Sequence, residues 1–214
     1  MLNRILLILL IVSSSSLVGQ TTLKFSTSCN TSNDTSYVID KLRFYVSNIA
    51  FETKTGETIK DTIIAYLIDK EDSNSFTIDF PTISRSSIRA VHLTLGTDSL
   101  TNISGVLDGD LDPINGMYWS WNTGYINFKI EGKRNIHSKT TSFEYHIGGY
   151  LTPFPTSRQL AFSTLDSSDS ININIDLNYL FSHFNMDKNP SVLIPGKLSS
   201  DLSKLIQQSF VLEK

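Results

Sequence analysis

Residues 116–125 read Gly-Met-Tyr-Trp-Ser-Trp-Asn-Thr-Gly-Tyr, a segment that holds both tryptophans of the chain. In an extended segment, Trp119 and Trp121 would project from the same face, because side chains alternate along a strand. An acidic turn, Leu-Asp-Gly-Asp-Leu-Asp-Pro, precedes the segment at residues 107–113. Such a concentration of large aromatic side chains indicates either the centre of a core or a recognition surface. Composition alone leaves both interpretations open.

Short motifs follow one another through the middle of the chain. The central ones are Leu111-Asp112-Pro113, Gly116 to Trp121, Gly124-Tyr125-Ile126 and Lys129-Ile130-Glu131-Gly132. Residues 42–49, Leu-Arg-Phe-Tyr-Val-Ser-Asn-Ile, precede them, and residues 146–149, His-Ile-Gly-Gly, follow them. Together these motifs resemble the MbnP-like family of secreted copper-binding proteins. The resemblance covers residues 42 to 150, about half of the chain.

The resemblance implies a particular kind of metal site. In this family, histidines and a tryptophan oxidised to kynurenine form the copper site, and a partner of the dihaem cytochrome c peroxidase type is associated with the oxidation. Opening the indole exposes an aniline nitrogen and a carbonyl, whereas intact indole offers only an N–H donor. The resemblance implies Trp119 as the modified residue, with Trp121 second, and His146 as a ligand. Related members can have a histidine two positions after the modified tryptophan, where this chain has Trp121.

The four histidines of the chain are His92, His137, His146 and His183. Imidazole is a common ligand for copper and zinc, and two or three are usually needed. No two of these residues have local chelate spacing, so a site must be assembled from separate strands. His92 and His146 both lie in predicted strands, and His92 is our candidate for the second histidine ligand. A lone histidine is more often structural, so this ranking depends on the resemblance.

The acidic turn offers a second possible metal site. Asp108, Asp110 and Asp112 alternate as in the opening of a calcium-binding loop, where oxygens converge on a hard cation. However, Pro113 replaces the glycine of such a loop, and Trp119 stands where a closing glutamate is needed. Calcium therefore competes with a simpler interpretation, an acidic surface turn.

The N-terminal segment and the composition indicate where the protein acts. Residues 1–19 contain Arg4, an apolar run and then serines, the arrangement of a secretory signal peptide that is too short to span a bilayer. No later segment is long and apolar enough to cross a membrane, so we expect a periplasmic or secreted protein with one domain, residues 20–214. Cys29 is the only cysteine, which excludes an internal disulfide. The net charge of −3 without a basic cluster argues against nucleic acid as a partner.

Alternating apolar residues predict β-structure along most of the chain. The predicted strands are residues 22–25, 41–51, 62–68, 76–80, 87–95, 125–131, 143–147, 160–165 and 171–177, and helical segments are predicted at 179–184 and 201–210. Residues 41–51 carry apolar side chains on both faces, so we expect a central strand that is covered on both sides. Residues 96–113 form a long connection, a kind of loop that is often functional. The fold class predicted is mainly β, an antiparallel β-sandwich or open barrel with a short C-terminal helix.

These observations lead to one predicted function and two alternatives. We expect an extracytoplasmic copper-binding protein, for acquisition, storage or delivery, that does not turn over a substrate. Motifs for nucleophilic catalysis, phosphate binding and zinc proteolysis do not occur in the sequence. The first alternative is a non-metal extracellular recognition module that binds a glycan, peptide or protein partner. A copper-dependent oxidase is the second.

Overall fold

The computed structural model describes residues 20–30, 35–119, 124–137, 139–163 and 170–213, and the predicted signal segment lies outside them. The strands of this part of the chain are β1 (Gln20–Ser28), β2 (Thr35–Thr53), β3 (Thr58–Lys60), β4 (Ala65–Asp69), β5 (Thr77–Ser84), β6 (Ile88–Leu95), β7 (Ile126–Ile136), β8 (Lys139–Gly148), β9 (Arg158–Ser163), β10 (Ser170–Asp176), β11 (Ser191–Val192) and β12 (Phe210–Leu212). The α-helices are α1 (Ser99–Ile103), α2 (Leu177–His183) and α3 (Lys197–Ser209), and 3-10 turns lie at Ser73–Phe76, Arg85–Ser87, Gly109–Leu111 and Pro113–Asn115. None of the described helices is long and apolar enough to cross a membrane.

The strands form two sheets. The smaller has the order β12-β10-β1-β5, and the larger has the order β11-β8-β7-β2-β6-β9, with β3 and β4 also paired to β2. Most pairs are antiparallel, and the predicted fold class, a β-sandwich or open barrel with a short C-terminal helix, is confirmed. The parallel pairs β1–β10 and β11–β8 were not predicted. Alternation along a strand indicates its buried face and says nothing about the direction of the neighbouring strand.

Strand β2 is the longest element and lies at the centre of the larger sheet. Phe44 pairs with both β7 and β4, and Val46 pairs with both β6 and β4. Because β4 occupies one edge of β2 at both positions, β7 and β6 lie along the opposite edge, one after the other. The register shifts between Ser47 and Ala50, where Asn48 adopts a positive φ of 50°. The long connection from β6 to β7 consequently begins and ends beside the middle of β2, where Gly96 N–H donates to the carbonyl of Tyr45.

The main core lies between the two sheets. Leu42, Phe44 and Val46 alternate along β2 and point into it. The ring of Phe44 meets Phe25 of β1 at a centroid distance of 5.7 Å and Phe210 of β12 at 5.5 Å, both edge-to-face. Burial of these aromatic side chains joins the sheets, because apolar area removed from water is the main stabilising contribution.

A second, smaller apolar cluster lies on the other face of the larger sheet. Its buried members are Tyr45, Ala65, Leu111, Met117, Tyr125 and Ile126. Tyr45 alternates with Phe44 and Val46 along β2, so it projects away from the main core. The connection from β6 to β7 supplies Leu111 and Met117, and it therefore covers this outer face. The predicted coverage of β2 on both sides agrees with this arrangement.

Replacement of Phe44 tests how strongly the two sheets depend on their aromatic contacts. Phe44→Ala is expected to lower the free energy of unfolding by about 3–5 kcal/mol, because it leaves a cavity among three other rings. The control on the same strand is Val38→Ala, at a side chain that is 48% exposed. This substitution should change the free energy of unfolding by less than about 0.5 kcal/mol. Urea unfolding of the purified chains measures both, and equal losses would contradict this account of the core.

Candidate metal site

The aromatic segment folds back on the start of β7. Tyr118 forms an antiparallel bridge with Tyr125, the N–H of Trp119 donates to the carbonyl of Gly124, and the N–H of Ile126 donates to the carbonyl of Met117. Residues 117–119 therefore pair with residues 124–126 and do not continue with them in one extended strand, the condition under which both indoles would share a face. Gly124 has a φ of 69°, which ordinary strand residues do not adopt. Trp121, the second candidate for modification, lies outside the described residues.

A network of buried polar side chains holds the connection between β6 and β7 against the neighbouring strands. The Asn102 side chain accepts from the N–H of Tyr125 at 2.9 Å and donates to the hydroxyl of Thr97 at 2.9 Å. Asn127 accepts from the N–H of Thr97 at 2.9 Å and donates to the hydroxyl of Thr156 at 2.9 Å. Because buried polar groups are costly when unpaired, this satisfied network strongly favours one conformation of the connection.

Three tyrosines pack together between the same connection and the outer face of the larger sheet. Tyr125 lies 5.8 Å from Tyr45 and 4.9 Å from Tyr118, measured between ring centroids, and both contacts are edge-to-face. The hydroxyl of Tyr45 donates to the carbonyl of Asp110, and the hydroxyl of Tyr125 donates to the carbonyl of Gly105. Burial raises the pKa of Tyr45 and of Tyr125, so both phenols are protonated donors at neutral pH. Their arrangement indicates a structural role.

Two cations on the outer face of the sheet hold the start of the aromatic segment. Arg43 on β2 donates to the carbonyl of Asn115 at 2.8 Å and forms an ion pair with Asp69 at 2.8 Å. Lys129 on β7 donates to the carbonyl of Gly116 at 3.1 Å. These bonds position the aromatic segment directly over the outer faces of β2 and β7.

The structure packs Trp119 over Gly148, two residues after His146 on β8. A Cβ atom on Gly148 would lie only 3.0 Å from Cζ3 of Trp119, so the indole packs over this glycine. Gly148 follows His146 by two positions on β8, so both residues occupy the same face, about 7 Å apart. The lack of a side chain at Gly148 leaves room for the carbonyl oxygen of Tyr125, which would lie 2.6 Å from such a Cβ atom, as well as for the indole. Of the site residues predicted from sequence, Trp119 thus packs against β8 two positions after His146, on the face that His146 occupies.

His146 is engaged through one of its two ring nitrogens. Its Nε2 lies 2.8 Å from Oε1 of Glu131, and its side chain is 18% exposed. Burial lowers the pKa of His146, although the hydrogen bond to Glu131 opposes this change. Burial alone would raise the pKa of Glu131, but its bond to His146 and the nearby ammonium groups of Lys129 and Lys41 lower it overall. At neutral pH, a neutral imidazole thus faces an ionised carboxylate.

His92 lies elsewhere on the same sheet. His146 pairs with Lys129, which pairs with Arg43 of β2, whereas His92 pairs with Ala50 of β2. Arg43 and Ala50 are seven residues apart, roughly 20 Å of extended chain. His92 is 48% exposed and lies 3.8 Å from Glu52. The structure therefore does not bring the two histidines together, because alternation predicts the face of a residue and not its position along a neighbouring strand.

Two of the three carboxylates in the acidic turn accept hydrogen bonds from backbone amides. Asp110 accepts from the N–H of Leu67 at 2.9 Å, and Asp112 accepts from the N–H of Ile114 at 2.8 Å. Among the described residues there is no group of three or more His, Cys, Asp and Glu side chains that could hold a metal ion. The calcium site suggested by Asp108, Asp110 and Asp112 gains no support.

Sequence reasoning did not assign a role to Glu131. This residue belongs to the Lys129-Ile130-Glu131-Gly132 motif, and its spacing of two places it on the same face as Lys129. The pairing of Lys129 with His146 makes Glu131 a diagonal neighbour of the imidazole. Only the strand register reveals this contact.

A groove of about 600 Å³ opens beside the indole. Trp119, Tyr118 and Tyr150 contribute aromatic surface to it, and Ile103 and Val106 contribute exposed aliphatic surface. The groove is more apolar than polar, which suits contact with an apolar or aromatic group.

Glycine substitutions can test how the aromatic segment is held. Gly124→Ala should cost about 1–3 kcal/mol more than Gly105→Ala, because its Cβ would lie 2.1 Å from Oδ1 of Asn102. Gly105 has a similar positive φ, 79° against 69°, but no atom within 4 Å of the added Cβ. The pair therefore separates the steric clash from backbone strain. Thermal unfolding measures the stability of each variant, and tryptophan fluorescence reports on the aromatic segment. Equal losses of stability in the two variants would contradict the role given to Asn102.

Comparison with known proteins supports the resemblance. The profile of the MbnP family matches residues 12–194, most of the chain. The structure is similar to that of MbnP from Methylosinus trichosporium, with a TM-score of 0.56, 13% sequence identity and coverage of 78% of each chain. At this identity the likeness concerns the fold alone. No curated protein matches the chain at a significant level. On the extent of the profile match, this chain belongs to the MbnP family.

Proposed function

We propose that this chain binds one copper ion outside the cytoplasm, for acquisition, storage or delivery, and that it does not turn over a substrate. Membership of the MbnP family supports the proposal. The observation that carries it is the position of Trp119 and His146 on one face around Gly148. Residues 1–19 act as the export signal in this proposal.

The side chains near Trp119 can provide a set of copper ligands only if the indole of Trp119 is oxidised. His146 uses one nitrogen to bond Glu131, so its other nitrogen is the one that can reach a metal. Intact indole carries no suitable lone pair. Residues 120–123, Ser-Trp-Asn-Thr, add no imidazole, thiol or carboxylate. Oxidation of Trp119 to kynurenine would supply an aniline nitrogen and a ketone oxygen on the face that carries the imidazole, a donor set compatible with copper.

The oxidation needs an external oxidant. Insertion of two oxygen atoms across the pyrrole double bond gives N-formylkynurenine, and hydrolysis then releases formate to leave kynurenine. In this proposal an oxidising partner of the dihaem cytochrome c peroxidase type performs the step, and two molecules of hydrogen peroxide supply the two oxygen atoms and are reduced to water. Kynurenine differs from tryptophan by one oxygen atom gained and one carbon atom lost, about 4 Da in total.

Copper content and peptide mass test the proposal directly. The chain secreted by its native host, purified without a chelating tag, should contain one copper ion, and the peptide with Trp119 should be about 4 Da heavier than its sequence. His146→Ala should lose the copper. His92→Ala is the matched control and should retain it, because His92 lies roughly 20 Å of strand away.

Two results would contradict the proposal. Equal loss of copper in the two alanine variants would place the metal elsewhere. An unmodified Trp119 in copper-loaded protein would remove the kynurenine ligand and leave His146 without its partner.

The groove beside Trp119 favours a second candidate, a non-metal recognition module. Its aromatic and aliphatic lining could bind a glycan, a peptide or a protein partner. A chain that folds normally, contains no metal as purified and does not take up added copper would favour this function over copper binding.

A further inference from the structure

The Glu131 carboxylate contacts a ring nitrogen of a candidate metal ligand. Its Oε1 lies 2.8 Å from Nε2 of His146, and both side chains lie on the outer face of the sheet. Glu131 is placed there by β7, and His146 by the neighbouring strand β8, one diagonal step away. This position depends on strand pairing and not on a mobile loop, so it is well defined.

An ionised carboxylate can only accept hydrogen bonds. A neutral imidazole carries its proton on one nitrogen and a lone pair on the other. Since Glu131 faces Nε2, the bond requires the proton on Nε2 and leaves the lone pair on Nδ1. Ligating histidines commonly donate their second nitrogen to a carboxylate in this way, which fixes the ring and raises its basicity.

Two lysines hold Glu131 in turn. Nζ of Lys129 lies 3.5 Å from Oε1, and Nζ of Lys41 lies 3.6 Å from Oε2. Lys129 also donates to the carbonyl of Gly116, at the start of the segment that carries Trp119. The same ammonium group thus contacts the carboxylate that orients His146 and the backbone that carries the indole. His92 has no comparable arrangement, because its partner Glu52 is 3.8 Å away and is also paired with Arg89.

We propose that Glu131 is a positioning residue that fixes the tautomer and orientation of His146, so that Nδ1 is the nitrogen presented to a metal. The metal part of this inference rests on the proposed copper function. The tautomer part does not, because it is a property of the metal-free chain. Lys129 and Lys41 maintain the position of Glu131, and Lys129 couples it to the aromatic segment.

The test measures the tautomer and copper affinity separately. Long-range proton–nitrogen NMR correlations of the metal-free chain should show His146 in the Nε2–H form, with its signals assigned by their loss in His146→Ala. Glu131→Leu should give a mixture of tautomers and weaken copper binding roughly 10- to 100-fold in a competition titration. Glu131→Gln, whose amide oxygen can still accept from Nε2, should largely restore both.

The matched control is Glu52→Leu. Glu52 is the carboxylate beside the other strand histidine, 3.8 Å from Nε2 of His92, so this variant makes the same chemical change away from His146. It should leave both the tautomer of His146 and the copper affinity unchanged.

The outcomes distinguish this inference from the proposed function. An Nδ1–H form of His146 in the unaltered chain, or a Glu131→Leu variant with unchanged tautomer and affinity, would overturn the role of Glu131. A chain with the Nε2–H form that binds no copper would overturn the proposed function and leave Glu131 as the residue that orients His146.

Discussion

Burial of β2 on both faces is the constraint on which the rest of this structure depends. Phe44 packs between the two sheets, and the next residue, Tyr45, packs under the connection from β6 to β7. A strand that is apolar on both faces must be covered on both faces. The smaller sheet provides one cover. The other cover is a long connection with little regular structure, and it is this cover that carries the candidate site.

Such a cover brings many backbone polar groups close to a buried surface. The chain satisfies these groups with side chains as well as with backbone pairing. Asn102 and Asn127 each bond two partners within the same buried network, and the hydroxyl groups of Tyr45 and Tyr125 bond carbonyls of the connection. A connection held in this way is part of the core of the protein. It can keep an indole at a defined place over a strand.

The motifs that carry the family resemblance have physical roles in this arrangement. Gly124 leaves room for the Asn102 side chain, and Gly148 leaves room for the indole of Trp119. Lys129 joins the aromatic segment to β7, and Glu131 joins β7 to His146. The residues that carry the resemblance thus contact one another on one part of the outer face. This agreement between motif and contact supports the assignment of the candidate site to that face, although 13% identity to a solved structure by itself indicates only the fold.

Most of the fold could be predicted from the chain itself. Each predicted strand and helix overlaps an observed one, because burial of one face imposes a period on the residues that form it. Strands β3, β11 and β12 are two or three residues long, too short for a period to be seen. The double coverage of β2 was also evident, since apolar residues occupy both of its faces.

What the sequence by itself determined is therefore the class of fold and the position of most strands, and it named Trp119 and His146 as candidates for the site. Tertiary structure alone decided which strands pair, in which direction and in which register. That information placed His92 far from His146, folded the aromatic segment back on β7 and brought Glu131 to the imidazole. The physical reason is that side-chain alternation is a local property of one strand, whereas register depends on contacts between residues that are distant in the chain.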